Sequence, residues 1–166
     1  MTFDFEGFVS ADYCDTPENA NKGLKIVDFI ADDGEKILFI EVKNYARKSD
    51  DATTKEHLTA RQETDYRMLT DPDAAFPLEM GMKFKDSLLR WYASGHRFDK
   101  PVAMLLVINP PDSLREKDII RLIQRIDGYI PTGLNAEQYP KFTSTFFALV
   151  TADEAEHYGF SVTVNP

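Results

Sequence analysis

The chain has 166 residues, with 28 acids against 19 Lys and Arg, a formal net charge of -9 and a pI near 4.8. That length suits one domain over residues 1–166 that buries roughly two thirds of its unfolded surface, and the acidic balance argues against nucleic-acid binding through a broad basic patch, which draws its affinity from phosphate neutralisation. The lone Cys14 excludes an internal disulfide, His57, His96 and His157 lack zinc-type spacing, and no apolar run nears the ~18 residues of a membrane span, so a cytoplasmic protein without membrane partners is expected.

Along the chain, Leu24 to Ala31 and Glu35 to Lys43 are rich in Ile, Val, Leu and Phe, with Asp33-Gly34 between them. This pattern predicts an antiparallel hairpin closed by a two-residue type I′ turn. Thr53 and Glu56 match a capping box for a polar helix to about Leu69 with Leu58, Tyr66 and Leu69 on one stripe, and Asp71-Pro72 ends it. A second helix is predicted from Leu78 to Ser94, using Phe84, Leu88, Leu89 and Trp91 or Tyr92, with a stop at Gly95.

Val102 to Ile108 reads as a strand broken by Asn109-Pro110-Pro111. Ser113 with Glu116 then predicts a capped helix carrying Leu114, Ile119, Leu122, Ile123 and Ile126, closed by Gly128. Phe146 to Thr151 and Phe160 to Val164 are expected as closing strands. Hairpin, helices, strand, helix and strands together imply an α/β fold with a mixed central sheet flanked by helices.

Chemistry concentrates in the hairpin. Counting outward from a two-residue turn sets Ile30 opposite Ile37, Asp28 opposite Phe39 and Ile26 opposite Glu41, so that Asp28 and Glu41 are diagonal neighbours on one face with Lys43 one step beyond. Diagonal pairs stand about 7–8 Å apart at the backbone, a gap two carboxylates can close around one cation. Both faces of the hairpin are otherwise apolar, and carboxylates there are costly unless paired or metal-bound. Mg²⁺ is held by one or two carboxylates and keeps its other positions for water and substrate phosphate. Lys43 could orient the attacking water, neutralise charge or, if desolvation lowered its pKa, accept a proton.

The stretch Val27-Asp28-Phe29-Ile30, a DDG turn, then Phe39-Ile40-Glu41-Val42-Lys43-Asn44 resembles the second and third core strands of the PD-(D/E)XK (restriction-endonuclease-like) nuclease superfamily. Gln62 and Tyr66 stand in the Q-x-x-x-Y spacing of RecB-type members, on one helical face. The resemblance implies a restriction-endonuclease-like core and a Mg²⁺- or Mn²⁺-dependent nuclease hydrolysing DNA phosphodiester bonds, in defence, restriction or repair. It implies Asp28 and Glu41 as metal ligands joined by the Val42 carbonyl, Lys43 as the catalytic lysine, and Gln62 and Tyr66 as substrate-binding or site-bracing residues. The family also carries an acid in its first helix, for which Glu6, Asp12 and Glu18 are candidates and Glu18 is chosen, and a first core strand sought at Phe5 to Val9. Val27 replaces the motif's proline.

The charge of -9 suits a second class, a non-catalytic nuclease-fold interaction protein such as an inhibitor, an immunity factor or a subunit that meets a basic partner. A homodimer or a partner protein supplying the DNA-binding surface joins the two readings. Arg47, Lys48, Lys55 and Arg61 are interleaved with acids and read as a solvated face, and Trp91, Tyr92, Phe146 and Phe147 read as core rather than base-stacking platforms.

Overall fold

The computed structural model describes residues 1–16, 23–45, 55–97, 99–110, 114–132 and 145–163, with 55–62 and 145 described through their backbone alone. In chain order the elements are β1 (Thr2–Asp4), β2 (Ser10–Tyr13), β3 (Phe29–Asp32), β4 (Ile37–Asn44), α1 (Lys55–Thr70), α2 (Phe76–Ala93), β5 (Val102–Asn109), α3 (Glu116–Asp127), β6 (Thr145–Val150), a 3₁₀ turn (Ala155–Tyr158) and β7 (Ser161–Thr163). Five strands form a mixed sheet in the order β2-β3-β4-β5-β6, antiparallel through β4 and parallel beyond it, while β1 and β7 pair antiparallel in a small second sheet. The expected α/β class with a mixed sheet is what the chain adopts.

β5 explains the centre of the sheet. Val102 to Ile108 is buried on both faces between two parallel neighbours, as a continuous apolar run with crossover helices requires. One sheet face carries Ile30, Ile37, Phe39, Met104 and Leu106 and is covered by α2 and α3 through Met80, Phe84, Trp91, Leu122 and Ile126. The opposite face, with Leu38, Ile40, Leu105 and Val107, is closed by the N-terminal segment and the 160s strand through Phe3, Phe5, Phe8 and Phe160. Phe3 and Phe29 lie 4.8 Å apart at their ring centres, and Phe5 and Phe160 5.4 Å. Where α2 passes the segment after α3, a Cβ at Gly81 would stand 2.6 Å from the Tyr129 Cβ, so only glycine permits that approach.

The hairpin differs from expectation in register. Ile30 pairs with Phe39 and Asp32 with Ile37, two positions from the predicted pairing, because the connection spans four residues, 33 to 36, rather than two. Gly34 has φ +95°, but among the described residues only glycines have positive φ, so Asp33 does not adopt it and the type I′ geometry is not formed. Asp33 holds the longer turn instead: its Oδ1 accepts the Glu35 and Lys36 N–H groups, and its own N–H donates to the Lys36 carbonyl. A shift of two residues keeps every side chain on its predicted face.

Other boundaries moved for local reasons. Residues 5–9 form a turn, and Ser10–Tyr13 supplies the strand beside β3. Leu24 to Asp28 lies outside the ladder because α2 claims its donors: Lys25 N–H donates to Asp86 Oδ2 and Val27 N–H to the buried Ser87 Oγ. α2 begins at Phe76 with Pro77 in its first turn, and leaves Leu89 and Tyr92 exposed while Trp91 is buried against His96. Phe147 packs against the helix-covered core, whereas Phe146 is exposed, which corrects its expected place in the core: it lies on edge strand β6. The N-cap of α3 is Arg115, without a side-chain cap bond; Ser113, Thr53 and the side chain of Glu56 lie outside the described residues. Among the described residues, no helix is long and apolar enough to cross a membrane.

Candidate active site

β4 is where the sheet changes from antiparallel to parallel pairing. Glu41 and Lys43 stand at its C-terminal end. Glu41 and Lys43 alternate onto the helix-covered face with Phe39, and Val42 turns to the other. Asp28, just before β3, shares the face of Ile30 by the same alternation.

Three elements hold the 27–28 segment. Ser87 on α2 accepts the Val27 N–H at 3.1 Å, the Cys14 N–H beyond β2 donates to the Asp28 carbonyl at 2.7 Å, and the Val42 N–H on β4 donates to Asp28 Oδ2 at 2.7 Å. Asp28 is thereby tied to the residue between Glu41 and Lys43. It also lines a cleft of about 420 Å³ with Tyr13, Asp15, Val42 and Lys43. Burial, followed by the Glu41 charge, pushes the Asp28 carboxyl up to about 6 against the pull of the Val42 N–H and the two nearby lysines.

Glu41 is fully buried, 0 % exposed, yet meets two cations. Lys83 from α2 donates to Oε2 at 2.7 Å, and the Lys43 Nζ lies 2.6 Å from Oε1. Each carboxylate oxygen of Glu41 thus has its own ammonium. Burial alone drives the Lys43 pKa down, but Glu41 above all, with Asp28 and Glu79, outweighs it, and the net shift is upward. A lowered pKa and a proton-accepting Lys43 are thus not what the fold provides. Lys43 stays an ammonium, suited to orienting and neutralising.

Tyr45, two residues on from Lys43, is 7 % exposed, and its hydroxyl has no hydrogen-bond partner among the described residues. Burial and the charges of Asp65, Glu79 and Glu41 raise its pKa. Around Glu41 the fold thus gathers Asp28, Lys43, Tyr45 and Lys83, with Glu79 close enough to act on the charges of both Lys43 and Tyr45.

Other expected residues fare differently. Tyr66 is half-buried on α1 and reaches the Arg115 guanidinium, itself paired with Asp118, so it braces α1 against α3. The side chain of Gln62, and those of Arg47, Lys48, Lys55 and Arg61, lie outside the described residues, as does Glu18. Glu6 and Asp12 are exposed. Cys14 is buried beneath the Arg90 guanidinium, and burial raises its thiol.

Lys83, Ser87, Glu79 and Tyr45 went unnoticed in the sequence. Lys83 did leave a signal there: Phe76, Met80, Ser87 and Trp91 form the buried stripe of α2, and position 83 falls inside it at helical spacing. A lysine in an apolar stripe asks for an anion.

Two carboxylates on one face of the sheet and an adjoining cleft lined by Asp28 and Lys43 fit a Mg²⁺-like ion that takes few protein ligands. Among the described residues, no group of three or more His, Cys, Asp or Glu side chains is arranged to hold a metal ion, so such an ion would depend on water and substrate for its remaining positions. The Val42 amide serves Asp28. Comparison of the chain with protein-family models, curated proteins and solved structures yields no match in any of the three.

Proposed function

We propose that the chain is a divalent-metal-dependent nuclease of the PD-(D/E)XK, restriction-endonuclease-like kind that hydrolyses DNA phosphodiester bonds with Mg²⁺ or Mn²⁺. The observation that carries this reading is the fully buried Glu41, facing the same side of the sheet as Asp28 and touched by Lys43 at 2.6 Å. A buried charge so placed is costly for folding alone and is common where chemistry needs it.

Asp28 and Glu41, with the Val42 carbonyl, would hold the cation. When bound, the cation lowers the pKa of a water and neutralises charge developing on the leaving oxygen. Lys43, kept protonated by Glu41, orients the water and offsets charge on the phosphoryl oxygens. Asp28, whose carboxyl loses its proton near 6, is ionised and ready at neutral pH. Tyr45 places a buried hydroxyl within reach of the Glu41 charge, and Tyr66 keeps α1 in place.

A second reading, the non-catalytic interaction protein, draws on the charge of -9 and on the two lysines that already compensate Glu41. Its charge suits a basic partner, and a partner protein would then supply the DNA-binding surface. The test is incubation with circular and linear, single- and double-stranded DNA in Mg²⁺, Mn²⁺ or EDTA, beside Asp28→Asn. Metal-dependent cutting that vanishes in the variant is expected; absence of cutting by the wild type on every substrate moves the reading to the interaction protein.

A further inference from the structure

Glu41 carries one negative charge and is served by two ammoniums. Lys43 belongs to the motif on β4, but Lys83 comes from α2, 42 residues away in sequence, and its side chain is 15 % exposed. Position 83 falls within the buried stripe of α2, and its ammonium points inward to Glu41 Oε2. Asp28 feels the charges of the same two lysines, so two carboxylates and two ammoniums balance in the cluster as it stands.

Lys83 also has another place to go. It lines a cleft of about 210 Å³ together with Glu79, Asp15 and Lys25. Glu79 stands four residues before it on α2, the arrangement in which a glutamate and a lysine on one helix pair best. One rotation of a flexible four-carbon stem therefore separates two carboxylate partners, the buried Glu41 and the half-buried Glu79.

We propose that Lys83 is a built-in placeholder for the divalent cation: it neutralises Glu41 Oε2 in the metal-free protein and swings to Glu79, in the adjoining cleft, when the cation takes that oxygen. This rests on the nuclease reading of the same site and adds a positioning residue to it. The exchange spares the metal-free protein an under-compensated buried carboxylate, and it delivers an ammonium to the cleft mouth, where a substrate phosphate can meet it.

Calorimetric titration with Mn²⁺ alone, at neutral pH, compares wild type, Lys83→Met and Glu79→Gln. Removing the competing ammonium makes Lys83→Met bind Mn²⁺ about tenfold more tightly, and removing the landing site makes Glu79→Gln bind severalfold more weakly. In wild-type protein carrying ¹³C-labelled lysine, the Lys83 ε-methylene resonance moves as Mg²⁺ saturates the site, a readout that needs no variant to fold. Equal or weaker Mn²⁺ binding by folded Lys83→Met, or a stationary Lys83 resonance at saturation, overturns the placeholder and leaves the nuclease reading intact. Failure of the wild type to bind Mn²⁺ at millimolar concentration overturns both.

Discussion

Replacing Asp28 by Asn should make the metal-free protein more stable at neutral pH while abolishing its response to metal. The folded protein holds the Asp28 proton up to about 6 instead of 3.8, through burial and then the Glu41 charge. The folded state thus binds that proton more tightly than the unfolded state, so the associated stabilisation is complete below about pH 3.8 and is lost as pH rises through about 6. The interval corresponds to about 3 kcal/mol at full value, and solvent screening at a half-buried carboxylate reduces the working figure to about 1–2 kcal/mol. Asn has no charge to bury and keeps an oxygen for the Val42 N–H. Urea unfolding in EDTA should show the two proteins nearly equal at about pH 4 and the variant ahead by about 1–2 kcal/mol at about pH 7.5. Added Mn²⁺ should raise the stability of wild type alone, by the linkage between ligand and folded state. A variant equal to or less stable than wild type at neutral pH in EDTA would refute the premise that burial and Glu41 penalise the Asp28 charge.

Glu41→Gln removes the anion between Lys43 and Lys83 and leaves them only the more distant Asp28 and Glu79 charges. It should cost about 3 kcal/mol, the lower end for a broken buried pair because both lysines reach solvent; urea midpoints check it, and an unchanged midpoint would contradict the pairing. Ser87→Ala removes the acceptor of the Val27 N–H, with an expected loss of about 1–3 kcal/mol. Because Val27 precedes Asp28, the same variant should also weaken Mn²⁺ binding, and Ser87→Thr should retain it; calorimetry alongside unfolding separates the two effects.

Much of the site could be read before any coordinates. Ile, Leu and Phe alternate with period two around Asp28, Glu41 and Lys43, so the pairing of faces was legible, and a register wrong by two positions left it intact because two is the period of the strand. The buried run of Val102 to Ile108 likewise declared a central strand by composition. The turn departs from the type I′ geometry that Asp-Gly suggests because Asx bonding by Asp33 competes with it. Residues 5–9 have strand-like composition, yet Ser10–Tyr13 took the place beside β3, since ladder pairing depends on what lies alongside rather than on propensity.

What the sequence determined by itself, then, is the class of fold and the shared face of Asp28, Glu41 and Lys43, because both follow from local periodicity. Only tertiary structure decided that α2 brings Lys83 to Glu41 and Ser87 to Val27, that Tyr66 turns to Arg115, and that Lys43 stays protonated. Those outcomes depend on charges and donors separated by tens of residues, whose distances exist only after the helices have packed on the sheet.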